Sequence, residues 1–469
     1  VSRSGMMQAY IERHRDPAKR QDAHPVLLAL MPETYGVMVY QEDVIKVAHR
    51  FAGLDLGEAD VLRRGMSGKF RSRNEFDRAR DAFHTKAVAK GHPLHVVREV
   101  WRQMESFAGY AFAKGHSASY AVESYQSLFL KVHHPLEYMC ACINNFGGFY
   151  RTEFYVHEAR MLGANIAAPC VNTVGALAAT DPDTRTLTLG FNLVKDLQDS
   201  TVTRLEQARA NGGRFASLVD FVERVGPSLE QLTLLIRVGA LRFTGAEKQV
   251  LLWEAHFLLA AQSTTHRNSP QDLLARKHNL PALAGAGTGE LFAPPKPRTY
   301  VLPPLDTAPL ADAFDEWELL GFPLCSTFLL LTEEAKAVVR SGVLARDLPE
   351  RVGDVVTVVG HLVTVKETAT AKGERMCFGC FVDLEGAWLD TMHFPSVARD
   401  FPFRGKGVYA VRGTVSESFG CINVDAQRMQ RLDTLPDPRY ADQGMLPAGV
   451  DSGITTRRRQ PPKLATRKA

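Results

Sequence analysis

The hydrophobic period of this 469-residue chain changes near residue 352, and no other feature restricts the fold as much. From there to residue 433, five short segments alternate as half-buried strands do: "VGDVVTVVGHLVTVKET", "RMCFGCFVDLEG", "AWLDTMHFPS", "KGVYAVRGTVSES" and "GCINVDAQRM". In the second, Met376, Phe378, Cys380 and Val382 fall on one face. Five short strands, with Lys366, Lys372 and Arg375 in and around the first connection, suit a small closed barrel of the OB type. Such barrels hold single strands with aromatics on a sheet face and bases around it. Phe378, Trp388 and Phe394 are the aromatic candidates, and each is equally readable as barrel core.

Everything before the barrel is read as mainly helical. Residues 1–160 carry helix-forming segments broken at Pro25, Pro32, Gly53, Gly68 and Pro93. Around 165–195 the pattern changes: "DPDT" (181–184) reads as a turn, and "RTLTLGFNLV" after it as a strand. Helical periodicity resumes near Thr201 and runs past Leu259, with turn-like breaks at Asn211–Gly213 and Gly239–Gly245. Residues 262–310, rich in Pro, Gly, Ser and Thr, read as a linker, and from Pro436 onward the chain reads as disordered.

The net charge of +4 is unevenly placed. After Asp451 there are six bases (Arg457, Arg458, Arg459, Lys463, Arg467, Lys468) and no acid, so residues 1–451 carry −2. Residues 61–91 hold nine bases against three acids, a local excess that points to a polyanion partner. Seven cysteines at irregular spacings argue against a disulfide framework and for a reducing, cytoplasmic setting. The one CxxC, Cys377–Cys380, lies in an expected strand that turns its two thiols to opposite faces, so no metal or redox site is expected there. No apolar run reaches membrane-span length, and no signal peptide is visible. The start at Val1, without a methionine, reads as part of something longer.

The stretch "FAGYAFAKGHSASYAVESYQSLFLKVHHP" (107–135) predicts a helix ended by Pro135. Ala121, Tyr125, Leu128 and Val132 define an apolar face, opposite Tyr120, Ser124, Ser127 and Lys131. Its entrance has two readings. Ser117 is an N-cap with Gly115 giving room, or Lys114, His116 and Ser117 join the free amides of the first turn in an anion site.

These motifs together resemble the C-terminal half of the bacterial DNA polymerase III alpha subunit, a C-family replicative polymerase. The resemblance covers nearly all of residues 3–440. It is carried most specifically by "TYGVMVYQEDV" (34–44), "GEADVLRRGMSGK" (57–69) and "FAGYAFAKGHSASYAVESYQSLFLKVHHPLEY" (107–138). "GGRFASLVDFVERV" (212–225), "LIRVGALRFTG" (235–245), "GELFAPP" (289–295) and "WELLGFPL" (317–324) follow in family order. The resemblance implies a multi-domain chain. Residues 1–160 would be a helical fingers domain, and 161–260 a tandem helix-hairpin-helix segment gripping duplex DNA. Residues 261–350 would form a linker with a clamp-binding peptide, 351–435 an all-β OB-fold, and 436–469 a basic tail, with no domain for joining the tau subunit.

The implied function is to bind incoming deoxynucleoside triphosphate and DNA during template-directed synthesis, as part of a DNA-directed DNA polymerase working with other replisome subunits. Arg63, Arg64, Lys69, Lys114, His116 and Ser117 are placed near the nucleotide phosphates; phosphoryl transfer needs such charge on the non-reacting oxygens. Lys195, Lys366, Lys372 and Arg375 are expected on DNA, and Leu291 and Phe292 in the sliding clamp's pocket. The full-length enzyme is expected to use Mg2+ on paired palm aspartates upstream of Val1; this chain alone is expected to bind none and not to polymerise. Asp181 and Asp183 read as a turn, not a metal pair. Two positions depart from the family. The first hairpin's "KGVG"-like run is "KDLQ" (195–198), setting Asp196 where phosphate would lie, and Thr288 replaces the glutamine that leads the clamp peptide, which predicts weak clamp binding. The alternatives are a non-catalytic DNA-binding or clamp-associated accessory protein of the same descent, and an unrelated helical scaffold with an RNA-binding barrel.

Overall fold

A computed structural model describes residues 5–66, 73–106, 113–267, 310–370, 372–418 and 420–443. The chain divides into two compact units, Val1–His133 and His134–Ala469. The segment expected to be the fingers, 1–160, therefore straddles both.

The first unit is helical: α1 (Met6–Arg15), α2 (Pro25–Leu30), α3 (Gln41–Lys46), α4 (Leu56–Met66), α5 (Arg73–Ala89), α6 (Leu94–Ser106) and α7 (Lys114–His133). Pro25 opens α2, where its missing N–H costs nothing. Asp43 starts α3: its Oδ2 accepts the amides of Val39 and Tyr40 at 3.0 and 2.9 Å, which accounts for a carboxylate only 3% exposed. Val97, Val100, Trp101 and Met104, spaced i, i+3, i+4, i+7 on α6, are buried in one core with Phe51 and Phe83. Trp101 packs 5.3 Å from Phe83, and Phe51 stacks 4.1 Å from His92.

Helix α7 departs from expectation. It forms where the periodicity places it and ends before Pro135, yet none of its residues is buried. Tyr125 is 76% and Val132 71% exposed. Apolar residues also stand at Val122, Phe129 and Leu130, off the expected face, so the period fixed the helix but not a single packed stripe.

The second unit begins with α8 (Pro135–Asn144) and α9 (Thr152–Met161). A small sheet follows: β1 (Asn165–Ala167) pairs parallel to β3 (Thr186–Thr188), which pairs antiparallel to β2 (Ala179–Asp181). The expected strand over 185–194 is thus cut to three residues, and Phe191–Leu193 turns as a 3-10 helix that buries Phe191. Helices α10 (Asp199–Gly212), α11 (Leu218–Val225), α12 (Leu229–Arg237) and α13 (Lys248–Arg267) complete the hairpin segment, with α14 (Ala311–Leu320) beside α12. Leu187, Leu205, Phe221, Leu232 and Leu235 share its core.

The five expected strands all form: β4 (Val355–Ala369), β5 (Arg375–Val382), β6 (Trp388–His393), β7 (Val408–Ser418) and β8 (Cys421–Arg431). They close in the order β4-β5-β6-β8-β7, with β6 and β8 parallel and the other pairs antiparallel. Closure removes the edges an open sheet would expose. Phe381, Tyr409, Val411 and Val424 fill the interior. Bulges at Leu362/Thr364 and Arg412/Gly413 bend the long strands. At the second, a Cβ on Gly413 would meet the Asp425 carbonyl at 2.3 Å, so only glycine fits. The outer face of the barrel packs on α9 through Phe154, Val363 and Val382.

Residues 437–443, expected in the tail, are partly built into the fold. Pro438–Gln443 forms a 3-10 turn, and Arg439 reaches Asp315 of α14 at 2.6 Å. Asp315 also takes Arg237 of α12 at 2.8 Å, while Glu318 pairs with Arg237 and Arg439.

Candidate nucleotide and nucleic-acid interface

In the first unit, the start of α7 meets the segment leading into α3. The Lys114 amide donates to both oxygens of Glu42, at 3.1 and 2.9 Å, and its ammonium pairs with Glu33 at 2.5 Å. The Glu33 hydrogen bond raises the Lys114 pKa, and the same bond lowers that of Glu33. Next to Glu42, Gln41 accepts from Arg63 Nη1 at 2.9 Å, and Arg63 Nε donates to Asp60 at 2.8 Å. Arg64 Nε lies 3.0 Å from Asp60 Oδ2, close enough for charge attraction but misaligned for a hydrogen bond. The turn holding residues 41 and 42 thus touches both Arg63 of α4 and the entrance of α7, two parts of the set expected around the nucleotide.

The entrance itself corrects the capping reading. Ser117 lies inside the first turn, where its hydroxyl donates to the Ala113 carbonyl at 3.1 Å; it is not the N-cap. Glu42 does the capping, so an anionic group already sits on the first amide of α7. His116 is exposed on that turn, and Lys69 lies outside the described residues. Glu33, Gln41 and Glu42 were missed, although "TYGVMVYQEDV" contains the last two; nothing local marks an acid as the cap of a helix seventy residues away.

In the second unit, the first hairpin loop is closed from inside. Asp196 adopts a left-handed backbone (φ 61°), a conformation glycine takes freely and aspartate tolerates. The Gln198 amide donates to Gln231 Oε1 at 2.7 Å, and Gln231 Nε2 donates back to the Asp196 carbonyl at 3.2 Å. Gln231 is 2% exposed, so its amide group pins this loop from inside. Lys195 is exposed beside it, its own amide donating to Leu319 O at 2.8 Å.

On the barrel, Lys366 stands opposite Phe378, and Phe378 opposite Met392, so the three share the outer face. Phe378 is 38% exposed. Lys372 is exposed in the hairpin turn, and Arg375 pairs with Glu367 across it. Trp388 is 38% exposed, with its ring 5.5 Å from Tyr150 and 6.2 Å from Phe154. The two cysteines of the CxxC turn opposite ways, Cys377 into the barrel and Cys380 toward Phe154. Burial pushes both thiols up, Cys380 to about 12 with help from Asp390, which suits neither for nucleophilic chemistry. Leu291 and Phe292 lie outside the described residues.

Asp181 and Asp183, the close carboxylate pair of the sequence, do not fit the Mg2+ that the resemblance implies for the full-length enzyme. Asp181 spends its oxygens on the Asp183 amide (3.1 Å) and the Thr184 hydroxyl (2.9 Å), closing the expected turn. Among the described residues no group of three or more His, Cys, Asp or Glu could hold a metal ion, and no helix is long and apolar enough to cross a membrane.

Residues 2–91 match the finger domain of the bacterial DNA polymerase III alpha subunit, and residues 163–251 match a helix-hairpin-helix motif. An error-prone DNA polymerase of Mycobacterium tuberculosis (strain ATCC 25618 / H37Rv) is 29% identical over 93% of this chain and 38% of its own length. The DNA polymerase III subunit alpha of Treponema pallidum is 29% identical over 82% of the chain and 32% of its own length. That of Neisseria meningitidis serogroup A is 34% identical over 50% and 20%. The chain thus spans well under half of each of these relatives. Finger domain, hairpin motif and terminal barrel follow one another along the chain, polymerase relatives align with most of the sequence, and together these matches support a likeness to the C-terminal region of the bacterial DNA polymerase III alpha subunit.

Proposed function

We propose that this chain is the part of a DNA-directed DNA polymerase that holds the incoming nucleotide and guides DNA, without itself supplying the metal-binding carboxylates. The observation that carries the reading is the carboxylate of Glu42 on the first amide of α7, between Lys114 and the Gln41–Arg63 pair. A triphosphate offers the same chemistry with more charge. It would displace Glu42 from the amide and Glu33 from Lys114, and meet Arg63 and Arg64, whose guanidinium planes suit phosphate oxygens. Lys69, His116 and Ser117 complete the expected set around it. The hairpin segment and the barrel are the DNA-holding parts. Lys195 and the Lys366, Lys372, Arg375 group supply backbone contacts, and the sliding clamp and other replisome subunits are the protein partners.

The test is steady-state kinetics in a full-length family polymerase carrying this region. Lys114→Ala or Arg64→Ala should raise KM for nucleotide, lower kcat, or both, by about ten- to a hundred-fold for a lost charge-assisted contact. Wild-type kinetics in both variants would refute the placement. No observation among the described residues favours the alternative of a non-catalytic DNA-binding or clamp-associated accessory protein.

A further inference from the structure

The loop between α8 and α9 presents rings to solvent at a cost to the backbone. Phe146 is 61% and Phe149 80% exposed, while Tyr150 is 37% exposed. Phe146 itself takes a left-handed conformation (φ 59°), unusual for a bulky side chain, and Gly147 follows with φ 62°. A Cβ on Gly147 would lie 2.0 Å from the Tyr155 ring, so the chain passes directly against that ring. The Tyr155 hydroxyl in turn accepts the amides of Phe149 and Tyr150 at 3.2 and 3.4 Å. The loop is therefore pinned from beneath, and its rings are held out instead of folded in.

These rings continue onto the barrel. Phe149 packs edge-on to Tyr150 at 5.1 Å, and Tyr150 lies 5.5 Å from Trp388, itself 38% exposed. Trp388 stands opposite Val382 on β5, and Phe378 lies four residues back along the same strand, on the same outer face. Four residues of strand span about 13 Å, room for about four bases at about 3.4 Å spacing. Lys366 flanks the far end, and residues 144–151 contain Arg151 and no acid.

We propose that Phe149, Tyr150 and Trp388 form a stacking shelf for unpaired bases that extends the barrel face at Phe378 and Lys366 onto the α8–α9 loop. Flat, pinned, exposed rings in a row suit base faces, which every nucleotide offers while single-stranded and hides in a duplex. Asp390, opposite Cys380 midway along the row, keeps phosphate off that side and can accept from a base amino group, so the strand lies with its bases inward and its backbone along the Lys366 side. The shelf rests on the reading of the barrel as a single-strand site.

The experiment measures binding of the whole chain to fluorescein-labelled (dT)20 and to a blunt duplex of equal length across a salt series. Phe149→Ala should weaken (dT)20 binding about 5- to 100-fold, one stacked base lost, with an unchanged salt slope and unchanged duplex binding. Phe149→Trp should restore it. Phe149 is so exposed that its truncation leaves the fold intact. The variant Lys366→Ala/Lys372→Ala/Arg375→Ala tests the barrel separately. If that variant weakens (dT)20 binding while Phe149→Ala stays within twofold of wild type, the shelf is overturned and the barrel reading stands. No loss in either variant overturns both. Equal loss on duplex and single strand with Phe149→Ala also overturns the shelf, because paired bases have no free face.

Discussion

Lowering the pH should loosen the barrel through His393. This residue is 0% exposed in the barrel interior. Its Nε2 lies 2.8 Å from Thr391 Oγ1, and that hydroxyl donates to the Gly379 carbonyl at 3.2 Å, so the ring must donate from Nε2. Nδ1 is then a bare acceptor with no partner, and a second proton there would create a charge with nothing to hold it. Burial accordingly lowers the pKa from 6.5 to about 4. The folded state resists a proton that the unfolded state takes up, so the stabilisation is complete above pH 6.5 and is lost as pH falls toward 4. The loss amounts to about 3 kcal/mol, with a slope of about 1.4 kcal/mol per pH unit inside the window. Peroxide oxidation of Met429, buried in the barrel, read against urea concentration reports barrel opening at any pH. His361, lowered to about 4 by burial, titrates in the same window, so the informative quantity is a difference. His393→Phe should reduce the pH slope by one proton. An unchanged slope in that variant would refute the reasoning.

Asp315→Ala should destabilise the hairpin segment by about 1.5–3 kcal/mol, because Arg237 and Arg439 lose a largely buried partner and keep only Glu318 and, for Arg439, Asp437; urea denaturation of the two chains measures it. Deleting residues 452–469, with six bases and no acid, should flatten the salt dependence of DNA binding and leave the single-strand preference, since such a tail acts by counterion release; loss of all single-strand binding at moderate salt would contradict this. Replacing Leu291 and Phe292 with alanine should abolish a weak interaction with the sliding clamp in a pull-down; binding unchanged by the replacement would place the clamp contact elsewhere.

The barrel was legible because strand period is local: alternation from Val355 to Arg431 shows up in the residues themselves, and all five strands form. The turn at Asp181–Thr184 was legible for the same reason, through short polar side chains that bond their own backbone. The strand expected over 185–194 failed at Gly190 and Phe191, where burying the Phe191 ring in the hairpin core outweighs local alternation. The site was less legible because its partners come from afar. Glu42 caps a helix 72 residues later, Glu33 reaches Lys114 across 81, and Gln231 closes a loop 33 residues before it. The N-cap reading of Ser117 fails because a serine near a helix start has two uses, and back-bonding to Ala113 is invisible without the helix's true first residue. Trp388, readable either as an exposed aromatic or as barrel core, stands on the outer face against Tyr150, a partner that no local pattern announces.

The central claim is that α7 begins at an anion site now held by Glu42. Calorimetric titration of the chain with dATP tests it through two variants of opposite sign. Lys114→Ala should weaken binding by about ten-fold or more. Glu42→Gln, which keeps a hydrogen-bond acceptor on the Lys114 amide but removes the competing charge, should tighten it. Nucleotide binding indifferent to both substitutions, or weakened by Glu42→Gln, would contradict the account.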